Sequence, residues 1–407
     1  MTELAAQYTI QHLGQRGDGV AAGPVYAPLT LPSEVVTGTR EGDRLADVKI
    51  VTPSAQRVAP PCPHFKRCGG CALQHASDGF VETWKADLVR TALSHVDLTA
   101  QIAQVLTSPP QSRRRAALAG RKTKNGAQVG FHVRGGAEIV AIPNCKLLRP
   151  EIMAALPALE QVTRIAAPRG AEVTLHVTAT QTGLDLAITE AKPFDRLAMA
   201  ALAPLAPSFA RITWNGETAL QQTPPMLRLG RGQVPLAPGA FLQATEAGEA
   251  ALVSQAKAIL SGATQVADLF AGLGTFTFPI AERSAVHAVE GDRTLLQALD
   301  HGTRAPAGLK PITTERRDLF RAPLMPDELS RFDAVLLDPP RAGAAAQVAQ
   351  LAQSTVAKIA FISCNPATFA RDAQVLISAG WRMGPITVVD QFRWSPHVEL
   401  VTDFERA

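Results

Sequence analysis

Apolar and polar residues alternate over short stretches near the beginning of the chain. The runs YTIQHLGQRGDGVA, VYAPLTLP, EVVTG and DRLADVKIV are separated by Gly, Asp and Pro. Short strands that end at such turn residues are typical of a small closed barrel of the OB type. We therefore predict a β-barrel over residues 1–58. Barrels of this kind often bind RNA, but the shape alone does not identify a ligand.

The next part of the chain, residues 59–235, predicts a central α+β domain. The segment FVETWKADLVRTALSH has the apolar spacing of a helix, with Trp84 on its buried face. Further along, the pattern is mostly strand-like, as in AQVGFHV, EVTLHVTAT and GLDLAIT. One stretch with helical spacing, EIMAALPALEQVTRIA, interrupts these strands.

From residue 236 to the end, apolar strands alternate with helical segments. A helix at ATEAGEAALVSQAKAIL is followed by the strands QVADLF, AVHAVEGD, ITTERRDLF, FDAVLLDPP, KIAFISCNP, ITVVDQF and VELVTDF. This alternation predicts an α/β domain over residues 236–407, with a doubly wound, Rossmann-like parallel sheet.

Composition narrows the class of protein. Hydrophobic residues make up 46% and charged residues 19% of the chain, which supports a packed core and excludes global disorder. There is no run of about 18 apolar residues, so no membrane span is expected. The start, MTELAAQYTI, lacks the basic and apolar regions of a signal peptide. We expect a cytoplasmic protein, and a monomer, because no obligate protein partner is indicated.

The net charge is only +4, but basic residues are concentrated in one region. Residues 101–150 contain nine Lys and Arg residues and one acidic residue, Glu138. A local excess of this kind is typical of a surface that binds phosphate groups. An ordinary solvated loop is the alternative that charge alone leaves open. The residues expected to hold phosphates are Arg113, Arg114, Arg115, Arg121, Lys122 and Lys124.

Four of the five cysteines are predicted to form one metal-binding cluster. The motif CPHFKRCGGC contains Cys62, Cys68 and Cys71, and Cys145 in IPNCKLL is the candidate fourth ligand. An odd number of cysteines without a secretory signal argues against a disulfide framework. Four thiolates suit either zinc or a 4Fe–4S cluster. Zinc ribbons usually have two C-x2-C pairs, whereas this chain has one, so the pattern favours iron–sulfur.

A glycine-rich turn follows the first strand of the C-terminal domain. In VADLFAGLGTFTFPIA, Gly272 and Gly274 would let a ligand approach the backbone at a helix N-terminus. A dinucleotide-binding motif needs a third glycine where Thr277 stands, so NAD is disfavoured. The next three strands end in acidic residues: Glu290, Asp318 and Asp338. Ligands bind at the carboxyl ends of such strands. A glycine turn ringed by carboxylates favours S-adenosylmethionine, which carries a ribose and a positive sulfonium.

The remaining cysteine, Cys364, follows the fifth strand in FISCNPATFARD and therefore lies at the same crevice. A thiolate beside a methyl sulfonium suits methylation of uracil, whose carbon 5 is too weak a nucleophile to accept a methyl group directly. Addition of the thiolate to carbon 6 makes carbon 5 nucleophilic. A base must then remove the carbon-5 proton, and Glu399 in SPHVELV is the best candidate. His397 is a second candidate, although a structural or RNA-contacting role fits it better.

The motifs CPHFKRCGGC, FLQAT, DLFAGLGTF, LLDPPRAGA, SCNPATFARD and HVE follow one another along the chain. Together they resemble the RNA uracil-5-methyltransferase family, and most closely its iron–sulfur branch, which forms 5-methyluridine in 23S ribosomal RNA. The resemblance covers nearly the whole chain, and LGQRGDGVA is similar to a TRAM-type barrel. It implies a C-terminal S-adenosylmethionine-dependent methyltransferase domain, a central 4Fe–4S cluster and 23S ribosomal RNA as the partner.

The resemblance also implies roles for individual residues. Cys364 would be the nucleophile and Glu399 the proton acceptor. Gln243 and Asp338 would also hydrogen-bond the flipped uracil. Contacts to S-adenosylmethionine are implied for Gln243, Phe270, Thr275, Glu290, Asp318 and Asp338. The implied cluster ligands are Cys62, Cys68, Cys71 and Cys145.

This chain departs from the family pattern in a few places. Thr245 and Thr275 stand where Asn is common, and Ala271 replaces a Cys in the glycine-rich turn. None of these changes removes a group that the chemistry needs. The segment DQFRWSP stands where DMFPHT is usual, so base contacts or the choice of target can differ there.

Three alternatives remain open at the level of sequence. The same chemistry could act on transfer RNA. An RNA cytosine-5-methyltransferase is disfavoured, because those enzymes typically place a second cysteine in the turn where this chain has DPPR. A non-catalytic iron–sulfur RNA-binding protein is disfavoured by the combination of Cys364, Glu399 and a complete cofactor pocket.

Overall fold

The N-terminal barrel predicted from the alternating pattern is confirmed. The computed structural model describes residues 6–304 and 308–406, so the first five residues of the predicted range lie outside it. The strands are β1 (Gln7–Leu13), β2 (Gly19–Ala21), β3 (Val25–Ala27), β4 (Val35–Glu41) and β5 (Arg44–Thr52). They close in the order β1-β2-β3-β5-β4 around a small core that contains Ile10, Val25 and Val36.

A helix and a strand follow the loop that contains CPHFKRCGGC. These are α1 (Asp78–Ser94) and β6 (Ile102–Thr107). Ser77 caps α1, because its hydroxyl accepts a hydrogen bond from the amide of Phe80 at 3.4 Å. Trp84 is buried, as predicted, and packs with residues that include Leu73 and Val81.

The central part is an α+β unit built on a seven-stranded sheet. Its strands are β7 (Arg115–Thr123), β8 (Gly126–His132), β9 (Ile139–Ala141), β10 (Glu172–Thr180), β11 (Gly183–Thr189), β12 (Arg211–Trp214) and β13 (Glu217–Gln221). They are ordered β13-β12-β11-β10-β7-β8-β9. The helical segments beside the sheet are α2 (Pro150–Ala154), α3 (Leu156–Ala166), α4 (Arg196–Leu202) and the 3₁₀ helix Ala203–Ser208.

The single helix predicted at EIMAALPALEQVTRIA is interrupted. Helix α2 ends at Ala154 and α3 begins at Leu156, with Pro157 in the first turn of α3. Proline has no amide hydrogen to donate to the preceding turn and its ring clashes with the carbonyl there, so it is tolerated at a helix start and not inside a helix. The chain therefore turns at Ala155 and begins a second helix.

A hairpin of β14 (Met226–Leu229) and β15 (Gly232–Pro235) leads into the C-terminal unit. Its helices are α5 (Glu246–Ile259), α6 (Thr277–Ala281), α7 (Arg293–Gly302), α8 (Pro326–Leu329), α9 (Ala345–Gln353) and α10 (Pro366–Ser378). Its strands are β16 (Gln265–Leu269), β17 (Ala285–Glu290), β18 (Ile312–Arg316), β19 (Ala334–Leu337), β20 (Lys358–Ser363), β21 (Trp381–Met383), β22 (Ile386–Asp390) and β23 (Glu399–Arg406). Within the described ranges, no helix is both long and apolar enough to cross a membrane.

The doubly wound sheet predicted for the C-terminal part is confirmed. The strand order is β18-β17-β16-β19-β20-β23-β22-β6, and β21 pairs with β23. The first five strands are parallel, whereas β23 runs antiparallel to both β20 and β22. Strands such as β19 and β20 are almost continuously apolar because helices cover both faces of the sheet.

Two elements of the segment assigned by sequence to the central domain, a strand and a helix, belong to the C-terminal unit. Strand β6 pairs in parallel with β22 at the sheet edge. Helix α1 contributes Val89 and Leu93 to the same hydrophobic core as residues of α10. The chain thus contributes to the C-terminal sheet before it forms the central unit. The C-terminal unit therefore also includes α1 and β6, which lie before the predicted boundary at residue 235.

Candidate active site

A cavity of about 690 Å³ lies at the carboxyl ends of β16, β17, β19 and β20. This is where a doubly wound sheet places its ligand. The cavity brings together nine of the ten residues that the sequence indicates for catalysis or cofactor binding: Gln243, Phe270, Gly272, Thr275, Glu290, Asp318, Asp338, Cys364 and Glu399.

Gly274 is the tenth of these residues, and it does not line the cavity. Its φ is +90°, a conformation that favours glycine, and an added Cβ would lie 2.7 Å from the ring of Phe278. Gly274 therefore serves the turn and its packing against Phe278, and its predicted contact with the cofactor stays a prediction.

The glycine-rich turn is held to the neighbouring strand by Glu290. One carboxylate oxygen of Glu290 accepts a hydrogen bond from the amide of Gly272 at 2.9 Å, and the other accepts from the amide of Asp292 at 2.7 Å. Phe270 has a φ of +65°, which is rare for a bulky residue, and its ring lies 5.4 Å from that of Phe320. The turn is thus fixed in position, with an aromatic pair beside an oriented carboxylate.

Cys364 is half-buried between the end of β20 and the first turn of α10. Burial raises the pKa of the thiol to about 11, and the carboxylates of Glu399 and Asp338 act in the same direction. Arg341 opposes this effect. Without a positively charged ligand in the cavity, the group is a thiol at neutral pH.

Glu399 is the first residue of β23 and only 3% exposed. Burial raises the pKa of its carboxyl to about 8, and the charge of Asp338 adds to this. A hydrogen bond from Gln391 and the charges of Arg115 and Arg341 lower the pKa in part. Such a carboxyl is suited to accept a proton near neutral pH.

A third carboxyl of the cavity is also perturbed. Burial raises the pKa of Asp338 to about 7, and Asp268 behind it adds to the shift. Three acidic groups in one enclosed space repel one another, so a cation bound there would favour the charged forms of all of them. The part of the cavity between Asp338, Cys364 and Glu399 therefore favours a positively charged ligand.

Several cavity residues were not assigned a role from the sequence. Arg341 donates a hydrogen bond to Nδ1 of His397 at 2.7 Å. Partial burial and the charge of Arg341 lower the pKa of His397, which makes the ring a neutral acceptor. Arg341 stands in the LLDPPRAGA motif, so that motif could have indicated it. The aromatic residues that line the cavity also include Phe241, Phe320 and Phe392.

The expected phosphate-binding segment does not form one surface. Arg114 is buried, donates to the carbonyl of Gln243 at 2.9 Å and pairs with Glu249 at 2.5 Å. It therefore cannot reach solvent phosphates, and its predicted role is wrong. Arg113 and Arg115 line the cavity instead. The guanidinium of Arg115 lies over the ring of Phe241 at 4.6 Å, and that of Arg113 lies over Phe392 at 5.6 Å. Arg121, Lys122 and Lys124 lie on β7 and the turn that follows it.

The four clustered cysteines line one small cavity, together with residues that include Gly70 and Phe131. The sulfur of Cys68 accepts a hydrogen bond from the amide of Gly70, and that of Cys145 accepts one from the amide of Leu147, each at 3.4 Å. Four thiols are the donor set that a thiolate-bound cluster needs. In the part of the chain that the structure describes, however, no group of His, Cys, Asp and Glu side chains is arranged to hold a metal ion.

The fold and the cavity define a class of protein, the Rossmann-like S-adenosylmethionine-dependent methyltransferases. Comparisons with known proteins place the chain more narrowly. Residues 309–406 match the model of the family described as tRNA (uracil-5-)-methyltransferase. A protein of Caulobacter vibrioides described as an uncharacterized RNA methyltransferase is 46% identical, over 98% of this chain and 99% of that protein. The 23S rRNA (uracil(1939)-C(5))-methyltransferase RlmD of Pectobacterium atrosepticum is 31% identical, over 97% and 92% respectively.

These relationships extend over almost the entire length of the proteins compared, so the chain belongs to the RNA uracil-5-methyltransferase family. The resemblance seen in the motifs is confirmed, and the family consists of S-adenosylmethionine-dependent enzymes. The crystal structure of the tRNA (uracil-54, C5)-methyltransferase of Pyrococcus abyssi with S-adenosyl-L-homocysteine is similar in fold, with a TM-score of 0.77 at 22% identity. The similarity covers 98% of this chain and all of that chain.

Proposed function

We propose that the protein forms 5-methyluridine in 23S ribosomal RNA, with Cys364 as nucleophile and Glu399 as proton acceptor. The observation that carries this proposal is that both residues line the same cavity and interact electrostatically, since the charge of Glu399 raises the pKa of the Cys364 thiol. Cys364 follows β20 and Glu399 is the first residue of β23, so the two residues meet only in the folded chain.

In this mechanism, the thiolate of Cys364 adds to carbon 6 of uracil and makes carbon 5 nucleophilic. S-adenosylmethionine supplies the methyl group that carbon 5 accepts. Glu399 then removes the proton from carbon 5, and the bond between carbon 6 and sulfur breaks, which regenerates the thiolate. A positive charge in the cavity would lower the pKa of both residues, so cofactor binding would favour their reactive forms.

The residues that would hold S-adenosylmethionine form the wall around the glycine-rich turn. The carboxylate of Glu290 suits ribose hydroxyls, and the exposed ring of Phe320 beside Phe270 suits an adenine. Asp338 supplies negative charge for the sulfonium. The full set of proposed contacts is Gln243, Phe270, Gly272, Thr275, Glu290, Asp318, Phe320 and Asp338.

The target base must leave its stack to enter this cavity. Arg113 and Arg115 offer positive charge at the cavity, and the rings beneath them offer stacking surfaces for bases. A groove on the barrel contains Arg16, Tyr26 and Arg44 together with Asp18 and Asp43, and Arg44 pairs with Asp18 at 2.9 Å. Arg16 and Tyr26 are the residues of this groove that would contact RNA, as expected of a TRAM-like domain. We expect the enzyme to act as a cytoplasmic monomer.

Ribosomal RNA is favoured over transfer RNA by sequence similarity. The chain shares 31% identity with the 23S rRNA enzyme over nearly its whole length, and 22% with the tRNA enzyme of similar fold. The test is an assay with tritiated-methyl S-adenosylmethionine on total RNA lacking 5-methyluridine, followed by separation of the RNA fractions. We expect label in 23S RNA that digests to 5-methyluridine.

Label in transfer RNA alone would keep the chemistry and overturn the substrate, whereas no label in any fraction would favour a non-catalytic RNA-binding protein.

Cys364→Ala should abolish turnover and leave binding of S-adenosylmethionine and RNA intact. Glu399→Gln should accumulate a covalent protein–RNA adduct, because the carbon-5 proton is not removed. Glu282→Gln, which alters a carboxylate paired with Lys257 outside the cavity, is the matched control.

We also propose that Cys62, Cys68, Cys71 and Cys145 bind a 4Fe–4S cluster that shapes the central unit. Their shared cavity and the two amide–sulfur hydrogen bonds support this. Protein purified without air should contain about four iron atoms per chain, and Cys145→Ser should lose them. Cys364→Ala is the control, because it removes the one cysteine outside the set and should retain the iron. A content of one zinc per chain would show that the four cysteines form a zinc site and not an iron–sulfur cluster. A protein that contains no metal would refute both assignments.

A further inference from the structure

Gln391 connects two residues of the active site without lining the cavity itself. It follows β22, in the segment DQFRWSP that departs from the family pattern, and its side chain is buried. Its amide nitrogen lies 2.5 Å from Oε1 of Gln243 and 3.2 Å from Oε1 of Glu399. Its amide oxygen lies 2.6 Å from the backbone nitrogen of Ala244.

These partners determine which way the Gln391 amide faces. The backbone nitrogen of Ala244 is a donor, so the atom opposite it must be the oxygen. The amino group of Gln391 therefore faces Gln243 and Glu399, and its two hydrogens suffice for one bond to each. The arrangement is fully satisfied as it stands, and a thioether at this position could make none of these donations.

The same contact orients Gln243. Because the oxygen of Gln243 accepts from Gln391, the amino group of Gln243 is left for the cavity that the residue lines. Among the described residues, that amino group has no hydrogen-bond partner. The amino group of Gln243 can donate a hydrogen bond to a carbonyl oxygen of uracil, whereas the amino group of cytosine would place a second donor against it.

We propose that Gln391 is a positioning residue, which orients Gln243 toward a uracil carbonyl and favours the charged, proton-accepting form of Glu399. This rests on the proposed function of the cavity. The groups that face Glu399 from other elements are Asp338 and Arg341 after β19, Cys364 after β20 and Arg115 on β7. The two arginines favour the charged carboxylate and Asp338 opposes it, while Gln391 is the neutral group that donates directly to it.

The test is the pH dependence of kcat for methylation of uridine RNA by the wild type and two variants. Gln391→Met keeps the size of the side chain and removes both donors. In this variant, the apparent pKa below which kcat falls (the acid limb of the profile) should rise by about one pH unit, and kcat at neutral pH should be about tenfold lower. Gln391→Glu is nearly isosteric and can still accept from Ala244, but it places a second carboxyl group beside Glu399. Its acid limb should move further upward than that of the methionine variant.

Gln347→Met is the matched control. Gln347 is equally buried and its amide also bridges backbone groups, those of Leu324, but it lies outside the cavity. The control should lose stability and keep the wild-type pH profile. An unshifted acid limb in both Gln391 variants, or a wild-type profile in the isosteric variant, would overturn the proposal. Inactivity of the wild type on every RNA would instead refute the proposed function, because that result does not depend on Gln391.

Discussion

The buried ion pair between Arg114 and Glu249 gives the sharpest test of how the basic segment works. Arg114 lies between two cavity arginines but faces the opposite side of the chain. Its side chain is 6% exposed and that of Glu249 is 14% exposed, with 2.5 Å between the charged atoms. Arg114 also donates to the carbonyl of Gln243, and its own amide donates to the carbonyl of Ala244. It therefore fastens the start of β7 to the segment that carries Gln243.

Arg114→Met should be strongly destabilising, because it leaves the carboxylate of Glu249 buried without a partner. Removing one member of such a pair costs about 3–5 kcal/mol. For a cooperative unit of about 150–250 residues this corresponds to a decrease of about 6–20 °C in the unfolding midpoint. The double variant Arg114→Met with Glu249→Leu should regain most of the loss, since replacing both charges by apolar groups is often close to neutral.

The assay is thermal unfolding, with RNA binding measured over a range of salt concentrations. Arg121→Met is the matched control for the stability measurement, because Arg121 and Glu172 are also 2.5 Å apart but 46% and 24% exposed, and such pairs contribute at most about 1 kcal/mol. Arg114→Met should leave the salt dependence of RNA binding unchanged. A phosphate-binding arginine would instead reduce the slope by about 0.7–0.9. A reduced slope with little change in stability would refute the structural role.

Three further predictions concern the cavity and its support. Glu290→Gln should raise the KM for S-adenosylmethionine, measured by initial rates, because glutamine has no charge and keeps only one of the two oxygens that accept from the amides of Gly272 and Asp292. Lys85→Met should lower both stability, by about 3–5 kcal/mol in denaturant unfolding, and kcat, because it leaves Asp390 buried without its ion-pair partner at the start of the segment that leads to Glu399. Burial raises the pKa of Asp268 from 3.8 to about 7, so folding takes up a proton there, and stability should fall by about 3 kcal/mol as the pH rises from 4 to 7. Asp268→Asn should remove that part of the pH dependence, and an unchanged curve would contradict the reasoning.

Much of the fold could be predicted from local patterns. Alternation and turn residues located the barrel, and strands alternating with helices located the doubly wound sheet, because these periodicities reflect which face of an element is buried. The rule that ligands bind at the carboxyl ends of parallel strands predicts that Glu290 and Cys364 lie at one crevice. Pairings over long sequence distances could not be obtained in this way. Nothing in the spacing of β6 indicates that it joins the sheet edge beside β22.

The arginine run shows a prediction that local geometry could have corrected. Residues 113–115 lead into β7, and successive side chains of an extended chain point to opposite sides. Arg113 and Arg115 can therefore share a face, and Arg114 cannot join them. The local excess of charge suggests that the three arginines share one surface. The alternation of an extended chain instead assigns Arg113 and Arg115 to the cavity and Arg114 to the interior.

Two of the departures from the family pattern, Thr245 and the segment DQFRWSP, are connected in three dimensions although they are far apart in sequence. Thr245 caps α5, since its hydroxyl accepts from the amide of Gly248 at 3.0 Å. A Cβ added at Gly248 would lie 2.5 Å from the Cβ of Gln391, so the glycine leaves the space that Gln391 needs. Gln391 in turn holds Ala244, the residue before the cap. The first turn of α5 and the segment DQFRWSP therefore form one unit around Glu399, and a change in either alters the environment of the proposed base.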